Sequence, residues 1–196
     1  MTGVAEPEIL QVLQSRGAVL NGHFRLSSGR HSDLFVQKFR VFEDPRLTQR
    51  FGEMLARLFR ERGFDCVASP AVGAIPLGFA TALAADTRFV IAEREAGAMT
   101  FRRGFTLAPH ERVLVVEDVV TTGGSALEVV EAVRSAGASP VGVGALIDRS
   151  DPARGPLRGV RFEALLKLET TSYAPEECPI CRAGEPLTDP GSRRLS

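Results

Sequence analysis

Cysteine is scarce in this sequence: three among 196 residues, namely Cys66, Cys178 and Cys181. An odd count this low argues against a disulfide framework. Neither sign of charge is in excess, since Lys and Arg number 24, Asp and Glu 24, and the formal net charge is +0. The chain as a whole therefore has no pull toward nucleic acid or an anionic membrane. No apolar run approaches the roughly 18–20 residues that span a bilayer. The opening MTGVAEPEIL carries two acids and no basic stretch, unlike a secretory signal. Internal repeats and low-complexity blocks are missing too. These absences leave a cytoplasmic protein as the expectation. Its 44% hydrophobic and 24% charged residues are ordinary for a folded chain, and 196 residues suffice for one domain with a sizeable core.

What is present has the rhythm of an α/β protein. Residues 6–16 suggest a helix with Ile9, Leu10, Val12 and Leu13 on one side and Gly17 as its stop. Residues 23–42 mix β-favouring side chains with a Ser-Ser-Gly turn, which predicts two short strands around a loop at 27–30. Asp44 and Pro45 suit the N-cap and first position of a helix reaching about residue 62. Strand and helix signals then alternate. Strands are expected at 64–69, 88–92, 112–116, 140–147 and 161–168, and helices at 74–85 and 124–136, the latter closed by Gly137. Residues 70–73 form a turn, and 93–110 a loop or ribbon. This pattern implies a mainly parallel sheet covered by helices on both faces. The tail from Pro175, rich in Pro, Gly and charge, is expected to be a surface extension.

The most informative stretch is VLVVEDVVTTGGS, residues 113–125. An apolar strand runs straight into two acids, Glu117 and Asp118. Thr121, Thr122, Gly123, Gly124 and Ser125 follow and lead into a helix. Glycines let backbone N–H groups approach an anion, the hydroxyls add donors, and the helix N-terminus contributes a favourable partial charge. An anion cradle beside two acids suits a phosphate joined to a sugar: the loop takes the 5′-phosphate and the acids accept from the 2′ and 3′ hydroxyls. Rival motifs fail. A Walker-type loop needs a Lys after its glycines. A dinucleotide fold places its ribose-binding acid about 20 residues after the glycines. A receiver domain needs more αβ units than the ~70 remaining residues supply.

VLVVEDVVTTGGS resembles the phosphoribosyl-diphosphate (PRPP) motif of the type I phosphoribosyltransferases. Further segments are similar to the orotate branch of that family: FRLSSGRHSDLFV at 24–36, SPAVGAIPLG at 69–78, LIDR at 146–149 and the tail CPICRAGEPLTDPGSR. The resemblance covers most of the chain from about residue 15. It implies a single phosphoribosyltransferase domain, with a hood from about 1–42 plus the tail and a core at about 43–170. It implies transfer of ribose 5-phosphate from PRPP to orotate in pyrimidine nucleotide synthesis, with Mg²⁺ held mainly by substrate oxygens. A homodimer is implied as well, with neither nucleic acid nor membrane as a partner. Two alternatives stay open: a purine-base phosphoribosyltransferase, and a PRPP-sensing regulator that binds nucleic acid.

The site residues follow from the same resemblance. Glu117 and Asp118 would hold the ribose hydroxyls, with Asp118 catalytic and nearest the anomeric carbon. Thr121, Thr122, Gly123, Gly124 and Ser125 would bind the 5′-phosphate, and Thr121 would also reach the base. Ala71, Val72, Gly73 and Ala74 would receive pyrophosphate through backbone N–H groups. Arg149 would pair with the orotate carboxylate, a match that its planar fork suits. Ser28, Gly29, Arg30 and Phe35 would line the base pocket. The family's basic catalytic loop is replaced by AEREAGAMTFRRGF at 92–105, without Lys or His, where Arg94 aligns best with a donor-binding, catalytic cation. Arg102 and Arg103 are further cations there. Ser27 and Gly73 stand where the family often has basic residues. His23, His31 and His110 show no metal-ligand spacing along the chain, so surface or turn positions are expected. Cys178 and Cys181 make one CxxC pair, half of a structural zinc set. By itself it points to a reduced turn more than to zinc, with a dimer partner needed to complete a site.

Overall fold

The computed structural model describes residues 6–26, 28–151, 157 and 159–189. Helix α1 (Glu6–Ser15) leads into the hairpin of β1 (Val19–Arg25) and β2 (His31–Val36). One turn, α2 (Phe39–Phe42), precedes α3 (Pro45–Leu58). Then come β3 (Cys66–Pro70), α4 (Ile75–Ala85), β4 (Arg88–Glu95), β5 (Ala98–Phe101), β6 (Arg112–Val120), α5 (Gly124–Ser135), β7 (Ser139–Asp148) and β8 (Phe162–Lys167). The short β9 (Ser172–Tyr173) and α6 (Pro179–Arg182) complete the described elements. Among them no helix is long and apolar enough to cross a membrane.

The helices begin where their sequences say. Asp44 is extended, and its carboxylate accepts from the N–H groups of Arg46 and Leu47 at 3.1 and 3.2 Å. Pro45 sits at the first helical position, where its missing N–H costs nothing. Leu47, Phe51 and Leu55 then fall on one buried face of α3. On that face Gly52 meets α4. A Cβ built on Gly52 would lie 2.5 Å from the carbonyl carbon of Ala80. The two helices therefore touch backbone to side-chain stub, and Gly52→Val is expected to cost about 1–3 kcal/mol through forced separation. Equilibrium urea unfolding of the variant checks this, and an unchanged midpoint would show that the pair gives way freely.

Six strands form the main sheet in the order β5-β4-β3-β6-β7-β8, parallel except for the antiparallel β4–β5 edge. The 93–110 stretch is thus in part a ribbon: β4 continues to Glu95 and returns as β5. Alternation along β6 divides the core. Leu114 and Val116 face one cluster with α1, α3 and α4, while Val113 and Val115 face another with α5. A fully apolar strand is what a sheet covered on both faces requires.

Chain order reverses between β3 and β6. From β3 the chain moves by α4 to β4 on one side, and from β6 by α5 to β7 on the other. Right-handed crossovers in opposite directions put α4 and α5 on opposite faces. That opens a crevice at the carboxyl ends of β3 and β6, the place where open α/β sheets bind ligands.

A second sheet, β1-β2-β9, is antiparallel and joins residues 19–36 to the chain beyond β8. The described part of the C-terminal tail lies at the surface as expected, with residues 181–189 exposed, but it is also bonded to the hairpin. Thr188 donates to the His23 carbonyl at 2.8 Å and accepts from Arg25 N–H at 2.9 Å, and Cys178 is buried. Unpaired edge groups of β1 gave the tail a partner that its composition did not reveal.

Candidate active site

Glycine builds the anion cradle. Gly123 caps α5 in the left-handed region (φ 79°), a conformation that L side chains resist, and the only side-chain acceptor on the first turn among the described residues is the Thr122 hydroxyl, which accepts from Gly124 N–H at a long 3.4 Å. The N–H groups of the first helical turn therefore face outward, the arrangement that binds phosphate. Thr121, Thr122, Gly124 and Ser125 are exposed around a small hollow that Glu117 also lines. A larger, mostly apolar hollow of about 790 Å³ lies between β5 and α5. It holds neither the acids nor the Thr-Thr-Gly-Gly loop, so the smaller one has the chemistry.

The two acids differ in setting from the expectation. β6 runs on to Val120, so Glu117 and Asp118 stand inside the strand rather than beyond it, with Glu117 paired to Ala145 in register. The parallel neighbour β7 extends the pairing past the last apolar residue, which the run of valines ending at 116 did not signal. Alternation then sends the acids to opposite faces. Asp118 follows Leu114 and Val116, and Glu117 follows Val113 and Val115 toward α5. Asp118 is nearly fully buried; its Oδ1 accepts from Val119 N–H at 2.6 Å, and its Oδ2 lies 2.5 Å from the Lys38 ammonium. The turn after β3 closes against the same carboxylate. A Cβ on Gly73 would lie 2.2 Å from Asp118 Oδ2 and 2.6 Å from Lys38 Nζ, so the 71–74 backbone sits directly against the Lys38–Asp118 pair, which would have to shift for a larger residue.

Burial, and secondarily the Asp118 charge, push the Glu117 carboxyl up from 4.5 to about 8. The sign of the consequence is fixed. Between about pH 4.5 and pH 8 the folded chain holds a proton that the unfolded chain has released. This contribution to stability is full below the lower value and is lost as pH rises through the upper one. The melting temperature of the ligand-free protein, measured against a Glu117→Gln variant, is expected to fall steadily across that window. Parallel curves for the two proteins would contradict the shift.

Across the crevice, β7 ends beside the cradle, with Arg149 N–H donating to the Val120 carbonyl at 2.8 Å. Burial pulls the Arg149 guanidinium down from its ordinary value, and the Asp33 charge on β2 opposes this. Its Nη2 reaches Thr170 Oγ1 at 3.4 Å, while buried Nε has no hydrogen-bond partner among the described residues. A half-buried fork with an unused donor is poised for an acidic ligand.

Residues 40–161 match the model of the phosphoribosyl transferase domain family. An orotate phosphoribosyltransferase of Pelotomaculum thermopropionicum is 50% identical over 188 residues, spanning 96% of this chain and 98% of the relative. One of Thermotoga maritima is 47% identical over 188 residues, 95% of this chain and 99% of the relative. The chain belongs to the orotate phosphoribosyltransferase family. Among solved structures, Mycobacterium tuberculosis orotate phosphoribosyltransferase with inorganic phosphate superposes with TM-score 0.68 at 28% identity, over 83% of this chain and 95% of that one. The same enzyme in complex with PRPP gives 0.64 at 25%, over 86% and 92%.

As an orotate phosphoribosyltransferase family member, the chain gathers Gly73, Glu117, Asp118, residues 121–125 and Arg149 around one crevice. Other expected residues are engaged elsewhere. Arg94 donates to the Gly97 carbonyl and pairs with Glu128 on the outer side of α5, neither of which belongs to the cradle. Arg103 pairs with Glu93, and Arg102 with Glu95. Arg30 donates to the Ser172 hydroxyl and carbonyl, which ties β2 to β9. Phe35 is half-buried against Phe24, their rings 5.7 Å apart, and Val72 is exposed. Ser28 is exposed and Gly29 takes a left-handed turn (φ 80°), while Ser27 lies outside the described residues.

Lys38 is the site residue that the motifs missed. The chain has only two lysines, Lys38 and Lys167. That scarcity beside FVQKF was the one available signal, and it is weak without the fold. Two histidines are corrections as well: His23 and His31 are buried against the tail rather than exposed, whereas His110 is an exposed turn residue with φ 64°. Cys66 is a core residue, and burial pushes its thiol up to about 12.

Proposed function

We infer that this chain transfers the ribose 5-phosphate group from PRPP to a ring nitrogen of orotate, giving orotidine 5′-monophosphate and pyrophosphate for pyrimidine nucleotide synthesis. The observation that carries this is the meeting of Asp118, Lys38 and the Gly73 backbone beside an open helix N-terminus. Thr121, Thr122, Gly123, Gly124 and Ser125 hold the 5′-phosphate. Glu117 and Asp118, on opposite faces of one strand, accept from the ribose hydroxyls and set the sugar across the strand end. In this reading the anomeric carbon lies between the 71–74 turn and Arg149. The Arg149 fork takes the orotate carboxylate, and Thr121 borders the base.

Catalysis then rests on alignment and charge. The C–N bond forms as the C–O bond to pyrophosphate breaks, the proton of the ring N–H passes to the departing pyrophosphate or to solvent, and positive charge develops on the sugar beside Asp118. Negative charge develops on pyrophosphate over the 71–74 backbone, with Lys38 adjacent. Mg²⁺ suits this donor set, because two acids flank a place rich in substrate oxygens and the ion needs few protein ligands. When bound it neutralises charge on the departing pyrophosphate. The reading includes a homodimer, supported by an exposed β4–β5 ribbon whose Arg94 is held away from its own cradle. It also includes a cytoplasmic setting, where free thiols at all three cysteines are the normal state.

The experiment follows orotate absorbance with PRPP and Mg²⁺ present, alongside adenine, guanine, hypoxanthine and xanthine under the same conditions. Turnover of orotate well above every purine is expected. No change in orotate at micromolar enzyme would overturn the assignment.

A further inference from the structure

Four side chains with no part in the transfer chemistry converge between the hairpin and the tail. They are His23 on β1, His31 on β2, and Cys178 and Cys181 at the start of α6 and within it. One potential ligand atom from each lies within 4.8 Å of the other three. His23 Nε2 is 3.1 Å from His31 Nδ1 and 3.6 Å from each sulfur, and Cys181 Sγ is 3.2 Å from His31 Nδ1. Tetrahedral zinc bonded to nitrogen and sulfur at its ordinary lengths has N–N edges of about 3.3 Å and N–S edges of about 3.6 Å. The four edges given above, 3.1–3.6 Å, are close to that size, and the remaining two lie within 4.8 Å.

Hydrogen bonding alone does not account for the group. His23 Nδ1 lies 2.9 Å from the Glu185 carbonyl, which can only accept, so Nδ1 carries the proton and Nε2 offers one lone pair. That single lone pair faces three groups at once: His31 Nδ1, Cys178 Sγ and Cys181 Sγ. A cation at their centre serves all four, and a carbonyl fixing the outer nitrogen is the usual support of a metal-bound imidazole. His23, His31 and Cys178 are buried, while Cys181 remains exposed and leaves a way in.

We propose that His23, His31, Cys178 and Cys181 bind one structural Zn²⁺ that staples the C-terminal tail to the β1–β2 hairpin. Two imidazoles and two thiolates select zinc over Mg²⁺, and with all four positions taken by protein the site is closed to substrate. No second copy of the chain is needed to complete it. His23 lies on β1 and His31 on β2, so the ion also ties the two strands of the hairpin to each other.

The test uses untagged full-length protein purified under reducing conditions without chelator. Elemental analysis is expected to give about one zinc per chain. Cys181→Ser and His31→Asn are each expected to reduce this to below about 0.2. Reduced, metal-free protein is expected to take up Co²⁺ with tetrahedral visible bands and a thiolate charge-transfer band. Removing the zinc is expected to lower the melting temperature by about 10 °C and to open residues 175–189 to proteolysis. If a variant fails to fold, the zinc content and cobalt spectrum of the unaltered chain decide. Unaltered protein that carries under about 0.2 zinc and binds neither zinc nor cobalt after reduction would overturn the proposal. So would a Cys178–Cys181 disulfide in fresh protein of full stability. These readouts are of metal and stability, so they are independent of whether orotate is the acceptor.

Discussion

Asp118→Asn is expected to lower kcat by about 10²–10⁴-fold while the protein stays folded. Asparagine keeps the volume of a side chain that is nearly fully buried, and its amide oxygen can still accept from Val119 N–H. What disappears is the negative charge that the proposed function sets beside the anomeric carbon. The Lys38 ammonium loses its carboxylate partner at the same time, but Lys38 is one-third exposed and can rehydrate. The loss is therefore expected in turnover more than in stability. Initial rates at saturating substrates, with circular dichroism and melting as controls, check this. A rate within about threefold of the unaltered chain would remove Asp118 from the chemistry.

Arg149→Ala should separate the two substrates. Truncating one partner of a buried charge-assisted pair costs about 2–5 kcal/mol, which at the ordinary conversion is roughly 30-fold or more in affinity. KM for orotate is expected to rise by that factor, and KM for PRPP by less than about threefold. The free protein already bears the cost of holding a half-buried guanidinium with an unpartnered Nε, so the carboxylate arrives to a prepared donor. Lysine is not expected to rescue it, because a point charge lacks the fork. Equal effects on both substrates would make Arg149 a structural residue that holds β7 against the cradle.

Much of this was readable along the chain, where the determining interactions are local. Asp44-Pro45 marks a helix start because the cap acts on the next three residues. Thr-Thr-Gly-Gly-Ser marks an anion cradle because glycine geometry and helix N–H groups are local properties. Strand ends were less legible. β6 was expected to stop at 116 and runs to 120, because pairing with β7, not side-chain polarity, decides how far a central strand extends. The family resemblance assigned Arg94 to the donor and Arg30 to the base pocket. Glu128 and Ser172 claim them in the fold, and neither partner is visible from the residues' neighbours in sequence.

The sequence by itself determined the α/β layering, the phosphate cradle and the pair of acids, all of which arise from residues within about one element of each other. Tertiary structure alone decided which face each acid takes, that Lys38 stands against Asp118, and that His23 meets Cys178 across 155 positions. The physical reason is that a single strand or loop carries no information about its partner. Register, crossover direction and tail docking are settled by burial and hydrogen bonding summed over the whole fold. The motif at residues 113–125 accordingly pointed to a phosphorylated sugar, while the crevice around it, and the four-residue cluster behind the hairpin, exist only once the sheets have formed.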